Sequence, residues 1–266
     1  MKLLGLDIET GSSFDVPQEQ MAITEIGAVL WDTDLGMPVK IFSELINEGQ
    51  EVCQEASEYT HITTEMIREY GLPPANVQGY MEYLVQQADY IVAHNGRFFD
   101  GPVLSHFFAR YQMNTILEKF QKTKIIDTQY DIEYPWTVKQ RSLPYLAAVH
   151  KILNSFPHRA VTDVLTMMEV LNHYDLDRIV QIVESPIRLC KAGVDKTTKD
   201  WAKNRKFRYD PETYTWSKEI REIHLEEGIH KDWEFVLSDL NTGEVIPKDF
   251  KSANSISQGH TVNTAP

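Results

Sequence analysis

The run KLLGLD (Lys2–Asp7) is almost continuously apolar and gives way to acids and turn residues by Gly11, the profile of a buried strand and its exit. Ala22–Trp31 (AITEIGAVLW) and Val39–Leu45 read as two more strands. The turn residues of DTDLGMP join them, so a hairpin is expected. The periodicity then changes. Thr63–Tyr70 reads as a short helix, Pro73–Pro74 breaks it, and a second helix runs to about Ala88. Tyr90–Ala93 and Lys124–Ile126 are short apolar strands. Between them, Asp100–Tyr111 sets Val103, Leu104, Phe107, Phe108 and Tyr111 on one helical face. Leu143–Val149 and Asp163–His173 complete the helices, the latter with Val164, Leu165, Met167, Met168 and Leu171 at buried-face spacing. Three strands in a row, then helices alternating with strands, predict an α/β domain: a mixed sheet flanked by helices.

A boundary is expected near Ser185–Pro186, giving a domain over 1–185. Beyond it, Thr198–Arg205 reads as a short helix, and FRYDPETYTW as a hairpin turning at Asp210–Thr213. A charged helix is expected from about Ser217 to Glu227. Trp233–Leu240 and Glu244–Ile246 read as a last hairpin. Together these make a small αβ module over 186–247. Residues 248–266 are polar and aperiodic and are expected to be disordered, with His260 incidental.

Charge divides the chain in the same place. The first 187 residues carry the whole net charge of −13, whereas the remaining residues balance 13 basic against 13 acidic side chains. Arg188–Arg208 alone holds eight basic residues and two acidic ones. An acidic body with a basic segment fits a protein that meets a polyanion locally; a solvated helix face is the plainer account. Cys53 and Cys190 are far apart, lack metal-ligand spacing and read as reduced thiols. No stretch is apolar over the ~18–20 residues that span a bilayer. The expectation is a soluble, cytoplasmic protein with no membrane partner.

Four carboxylates stand where elements begin or end: Asp7, Glu9, Asp100 and Asp163. Asp7 and Glu9 alternate onto one face of the first strand. Two acids after so apolar a run are costly to bury without a cation. Each of the four has a plain reading, as a strand exit or a helix N-cap. Jointly they are better explained as one acidic cluster holding divalent cations, and oxygen-only ligands suit two Mg²⁺ or Mn²⁺ better than Zn²⁺. Such a cluster is apparatus for phosphodiester cleavage, one ion acidifying a water and the other stabilising the leaving oxygen. His158, five residues before Asp163, is of the type that titrates near neutrality and reads as the base for that water.

LDIETG (Leu6–Gly11), AHNGRFFDGPVL (Ala93–Leu104) and HRAVTD (His158–Asp163) follow one another in an order that resembles the DnaQ-like 3′–5′ exonucleases, DEDDh branch. The likeness extends through Ile23–Asp32, Thr60–Met66 and Ile125–Thr128 and covers roughly residues 1–175. It implies an RNase H-like fold with Asp7, Glu9, Asp100 and Asp163 as metal ligands, Asp7 touching both ions, and His158 as general base. It further implies that Thr10 and Gly11 meet the terminal nucleotide, that Ile62 and Phe99 hold the last bases, that Asn95 supports the second motif, and that Asp127 and Thr128 brace the fold. Two departures stand out. Three residues, Gly96–Arg97–Phe98, separate Asn95 from Phe99–Asp100 where two are usual. His61 is displaced by one position from the family's HGIT.

Basic residues interleaved with Trp201, Phe207, Tyr209, Tyr214 and Trp216 suit single-stranded nucleic acid, with Lys203, Arg205 and Lys206 as candidate phosphate contacts. The alternative is that these rings are the module's own core. The reading is a metal-dependent 3′–5′ exonuclease releasing nucleoside 5′-monophosphates from a free 3′ end, with single-stranded DNA favoured. The rivals are an exoribonuclease acting on RNA or short oligoribonucleotides, and a polymerase-associated proofreading or binding subunit. The polar tail carries no apolar helix to dock on a polymerase, which favours a free-standing enzyme. Oligomeric state and the sugar of the substrate are left open by the sequence.

Overall fold

The computed structural model describes residues 1–13 and 15–251, which fall into two compact units, Met1–Val183 and a second beginning at Glu184. The tail beyond residue 251, including His260, lies outside the described residues.

The first unit runs β1 (Lys2–Thr10), β2 (Ile23–Asp32), β3 (Met37–Leu45), α1 (Gln54–Thr60), α2 (Thr64–Tyr70), α3 (Pro74–Gln87), β4 (Tyr90–Ala93), α4 (Asp100–Arg110), α5 (Asn114–Lys122), β5 (Ile125–Asp127), α6 (Leu143–Val149), α7 (Ala160–Leu171) and α8 (Leu176–Glu184). Its five strands form a mixed sheet in the order β3-β2-β1-β4-β5. The β1–β2–β3 pairings are antiparallel, and β4 and β5 run parallel to β1. Helices cover both faces, as expected for the α/β reading. Leu4, Leu6 and Ile8 of β1 join α3, α4 and α5 in one core. Leu3 joins α7 and α8 in the other.

Two glycines let α7 lie against the sheet. A Cβ on Gly5 would come within 2.6 Å of Val164 Cγ1. One on Gly27 would come within 2.4 Å of the Ala160 carbonyl carbon and the Val161 nitrogen. The first turn of α7 therefore rests directly on β1 and β2.

Within the second unit, β6 (Ile187–Ala192), β7 (Arg208–Asp210), β8 (Thr215–Arg221), β9 (Leu237–Asp239) and β10 (Val245–Ile246) form an antiparallel sheet ordered β10-β9-β6-β8-β7, joined by helices α9 (Lys199–Asn204) and α10 (Glu222–Glu226). Both expected hairpins are present. The charged helix expected over 217–227 is present only in its second half, as α10; the first half, Ser217–Arg221, belongs to strand β8, hydrogen-bonded to β6 on one side and β7 on the other. Pairing on both edges overrides the helix-favouring composition of WSKEIR. Trp201, Phe207 and Trp216 pack with Trp233 in this unit's core, while Tyr209 and Tyr214 are exposed.

Candidate active site

β1 carries Asp7 and Glu9 on the α7 side of the sheet, with Asp7 in register with Gly27 and Glu9 with Glu25. Asp163 comes from the first turn of α7. One carboxylate oxygen from each of Asp7, Glu9 and Asp163 lies within 4.8 Å of the others. Asp100, the first residue of α4, is buried, and its Oδ1 accepts the Ile8 N–H at 3.1 Å, which draws it to the same strand between Asp7 and Glu9. The N-cap readings of Asp100 and Asp163 are corrected: Phe99 and Arg159 are the N-caps, and neither caps through its side chain. The Asp163 carboxylate instead accepts from Asn154 Nδ2 and, at 3.1 Å, from the His158 N–H ahead of the helix.

The electrostatics of this group are unfavourable as it stands. Burial raises Asp7 well above the usual carboxylate range, with Asp100, Glu9, Asp163 and Glu25 adding to the rise. Glu9 is pushed up to about 8, first by burial, then by Asp163, Glu25 and Asp100, with Arg159 opposing. Burial lifts Asp100 to about 7 against its backbone hydrogen bonds, and raises Asp163 as well. Carboxylates crowded in this way favour either protons or a cation. Asp7, Glu9 and Asp163 offer oxygen donors alone, a set that fits hard divalent cations such as Mg²⁺ or Mn²⁺.

His158 has a left-handed backbone (φ +62°), and its ring lies 3.9 Å, centroid to centroid, from that of Tyr59. Tyr59 is half exposed, and Glu9, Asp163 and Asp7 help burial to raise its hydroxyl. The aromatic residue at this position escaped the sequence reading. So did the pair behind it. Glu25, fully buried, takes the Arg159 guanidinium through Nε at 3.1 and 3.0 Å and Nη2 at 2.7 Å, together with the Ala160 N–H at 2.9 Å. A lone acid inside the apolar run AITEIGAVLW was the available signal.

The remaining predicted residues fall in different settings. Gly11 is buried; its N–H donates to the Ala22 carbonyl and its own carbonyl accepts from Cys53, so its backbone braces the turn. Thr10 is half-buried at a register shift in the β1–β2 ladder. Ile62 is fully buried, its side chain turned into the core. Phe99 is half-buried against the larger core. Asn95 adopts φ +65°, with its N–H on Asp127 Oδ1 at 3.0 Å. Asp127 also accepts from the Arg97 and Gln129 N–H groups, and it braces the loop of the second motif. His94 meets Thr128 Oγ1 at 2.9 Å through Nδ1, and burial pushes it down to about 4. His61 is the exposed, left-handed C-cap of α1. Lys203, Arg205 and Lys206 belong to the second unit: Lys203 and Lys206 are exposed, and the Arg205 guanidinium lies 4.3 Å from the Trp201 ring centre.

Residues 4–171 match the RNase_T family model, described as exonuclease. Among solved structures, E. coli exonuclease I in complex with a dT13 oligonucleotide aligns with a TM-score of 0.56 at 14% identity, over 90% of this chain and 55% of that one. The zinc-ion-bound form of the E. coli exonuclease I–ssDNA complex gives 0.57 at 15%, over 90% and 54%. Apo exonuclease I gives 0.57 at 13%, over 90% and 56%. At this identity the likeness is one of fold, and the chain spans about half the length of the solved structures it matches. No curated relative matches it.

Proposed function

The chain belongs to the DnaQ-like exonuclease family, and from that premise we propose that it removes nucleoside 5′-monophosphates from the 3′ end of single-stranded DNA. One observation carries the reading: three carboxylate oxygens, from Asp7, Glu9 and Asp163, converge within 4.8 Å. Asp100 is tied beside them through Ile8. DNA is favoured because the exonuclease I structures that share the fold were captured with dT13 and with ssDNA.

Asp7, Glu9, Asp100 and Asp163 are the residues to hold two divalent ions, which when bound neutralise the scissile phosphate and acidify the attacking water. His158 is the group to accept that water's proton, and its imidazole must be neutral to do so. The Tyr59 ring confines the imidazole, and the His158 N–H on Asp163 ties the base to a carboxylate of the cluster. Arg159, on Glu25, pins the next residue to β2.

The experiment is a paired digestion of matched 5′-labelled single strands of DNA and RNA, with Mg²⁺, Mn²⁺ or chelator, beside the His158→Ala protein. A DNA ladder shortening from the 3′ end, lost with chelator and slowed about 10²–10⁴-fold in the variant, is expected. Faster shortening of RNA moves the substrate to RNA. A chelator-resistant ladder, or none on either strand, refutes the reading.

A further inference from the structure

The residues Gly96–Arg97–Phe98, one more than the second motif usually holds between Asn95 and Phe99, build a feature of their own. Gly96 lies so close to Ala93 that a Cβ on it would meet the Ala93 Cβ at 2.2 Å. Arg97 turns inward: its N–H donates to Asp127 Oδ2 at 3.2 Å, and its guanidinium faces Asp127 at 3.9 Å and Asp131 at 3.4 Å, both carboxylates being buried. Phe98 is left facing out, 43% exposed, with its carbonyl held by Gln18 Nε2 at 2.7 Å.

The Phe98 ring meets Tyr130 edge to face, with centroids 5.4 Å apart and planes at 78°. Tyr130 is 42% exposed, and its hydroxyl lies 3.4 Å from Asn95 Oδ1. The Arg97 guanidinium carbon sits 5.8 Å from one ring centre and 5.7 Å from the other. Two half-exposed rings are thus fixed against a cation that buried carboxylates hold in place. The shelf begins two residues from Asp100, at most ~8 Å along the backbone.

Aromatic faces stack on any base and so suit a strand read without sequence preference. The surroundings favour stacking over phosphate attraction, because the first 187 residues carry a net charge of −13. A strand entering so acidic a body is held by its bases rather than by its backbone. Fixing the rings beforehand lowers the ordering cost of binding.

We propose that Phe98 and Tyr130 form a base-stacking subsite for a single strand whose 3′ end occupies the carboxylate cluster; this rests on the exonuclease reading above. The test is steady-state digestion by the full chain of single strands in which one abasic nucleotide is walked inward from the 3′ end. The variants are Phe98→Ala, Phe98→Leu and Tyr130→Ala, with Phe98→Tyr and Tyr130→Phe as aromatic replacements. The Ala and Leu variants are expected to raise KM about 5-fold or more while kcat holds, the effect of removing one stack. At one position the abasic substitution raises KM for the wild type and no longer does so for these variants, whereas the aromatic replacements follow the wild type. Phe98→Leu keeps apolar volume without an aromatic face, so a folding defect in the Ala variants does not decide the result. Non-aromatic variants that keep the wild-type KM, or the wild-type abasic profile, overturn the subsite alone. A wild-type chain that shortens no strand overturns the exonuclease reading and the subsite with it.

Discussion

Glu9 and Glu25 stand directly opposite one another across the β1–β2 ladder, a position in which like charges repel. The conflict is eased but not removed: Glu25 is bound by Arg159 and the Ala160 N–H, while Glu9 takes part in the carboxylate cluster and is still raised by Glu25. Removing the guanidinium leaves Glu25 buried and unpaired. Arg159→Met is expected to cost about 3 kcal/mol, the low end for a broken buried pair because Arg159 is 38% exposed. Adding Glu25→Gln should restore most of it. Denaturant midpoints of the two single variants and the double variant measure the coupling, and simple additivity would count against it.

The crowded carboxylates are a source of instability that a bound divalent cation would relieve. In chelator, Asp7→Asn is expected to raise the melting temperature, at about 2–4 °C for each kcal/mol relieved. With Mg²⁺ or Mn²⁺ the wild type should gain and the variant gain less. The pH dependence follows from the raised carboxyls. With Glu9 at about 8 and Asp100 at about 7, the folded chain holds protons that the unfolded chain has already released. This contribution to stability is complete below the ordinary carboxylate range, near pH 4, and is lost as pH rises through 7 and 8. Calorimetry in chelator from pH 5 to 9 checks the slope, and a flat or rising Tm for the cluster's share, taken as wild type against Asp7→Asn, would contradict it.

Local patterns made the sheet order's raw material and the four carboxylates legible, because each acid stands at an element boundary where it interrupts an apolar run. They could not decide between cap and ligand, since a cap is defined by backbone angles. Only the positions of Phe99 and Arg159 decide it. The Glu25–Arg159 pair spans 134 residues: the lone acid in AITEIGAVLW marks Glu25, but nothing local names Arg159 as its partner. The same holds for β8: Ser217–Arg221 has helix-favouring residues, and its strand partners β6 and β7 are known only from the fold. The short helices α1 and α5 escaped because their few buried positions, such as Ala56 and Thr60 in α1, make a thin apolar stripe.

Gly27 lets the α7 backbone touch the sheet. Gly27→Ala would drive a methyl into the Ala160–Val161 peptide at 2.4 Å, and backbone cannot swing aside as a side chain can. The expected cost is about 1–3 kcal/mol, with a fall in kcat because α7 brings Asp163 to the cluster. Gly79→Ala is the control. Gly79 is exposed on α3, with nothing within 4 Å of an added methyl, and should stabilise by up to about 1 kcal/mol with kcat unchanged. Equal behaviour of the two variants would contradict the close approach of α7 to β2.

The three basic residues of the second unit separate by environment. Lys203 and Lys206 are exposed, whereas Arg205 lies over Trp201 at 4.3 Å and over Trp233 at 5.8 Å. A phosphate-tracking lysine and a ring-bound arginine fail differently when replaced. Reversing Lys203 and Lys206 to Glu should weaken binding to a single strand. It should also lower the slope of log affinity against log salt by up to about 0.7 for each phosphate no longer neutralised, with the melting temperature unchanged. Arg205→Ala should instead cost about 0.5–1 kcal/mol of stability, the worth of a partly exposed cation–π interaction, and leave the salt slope nearly untouched. Anisotropy titrations at several salt concentrations, paired with thermal melts, read both quantities on the same proteins. If the lysine reversals leave affinity and slope unchanged, the basic run is a solvated surface. The strand is then held by the first unit alone, and the rings of Phe98 and Tyr130 have to account for more of the affinity.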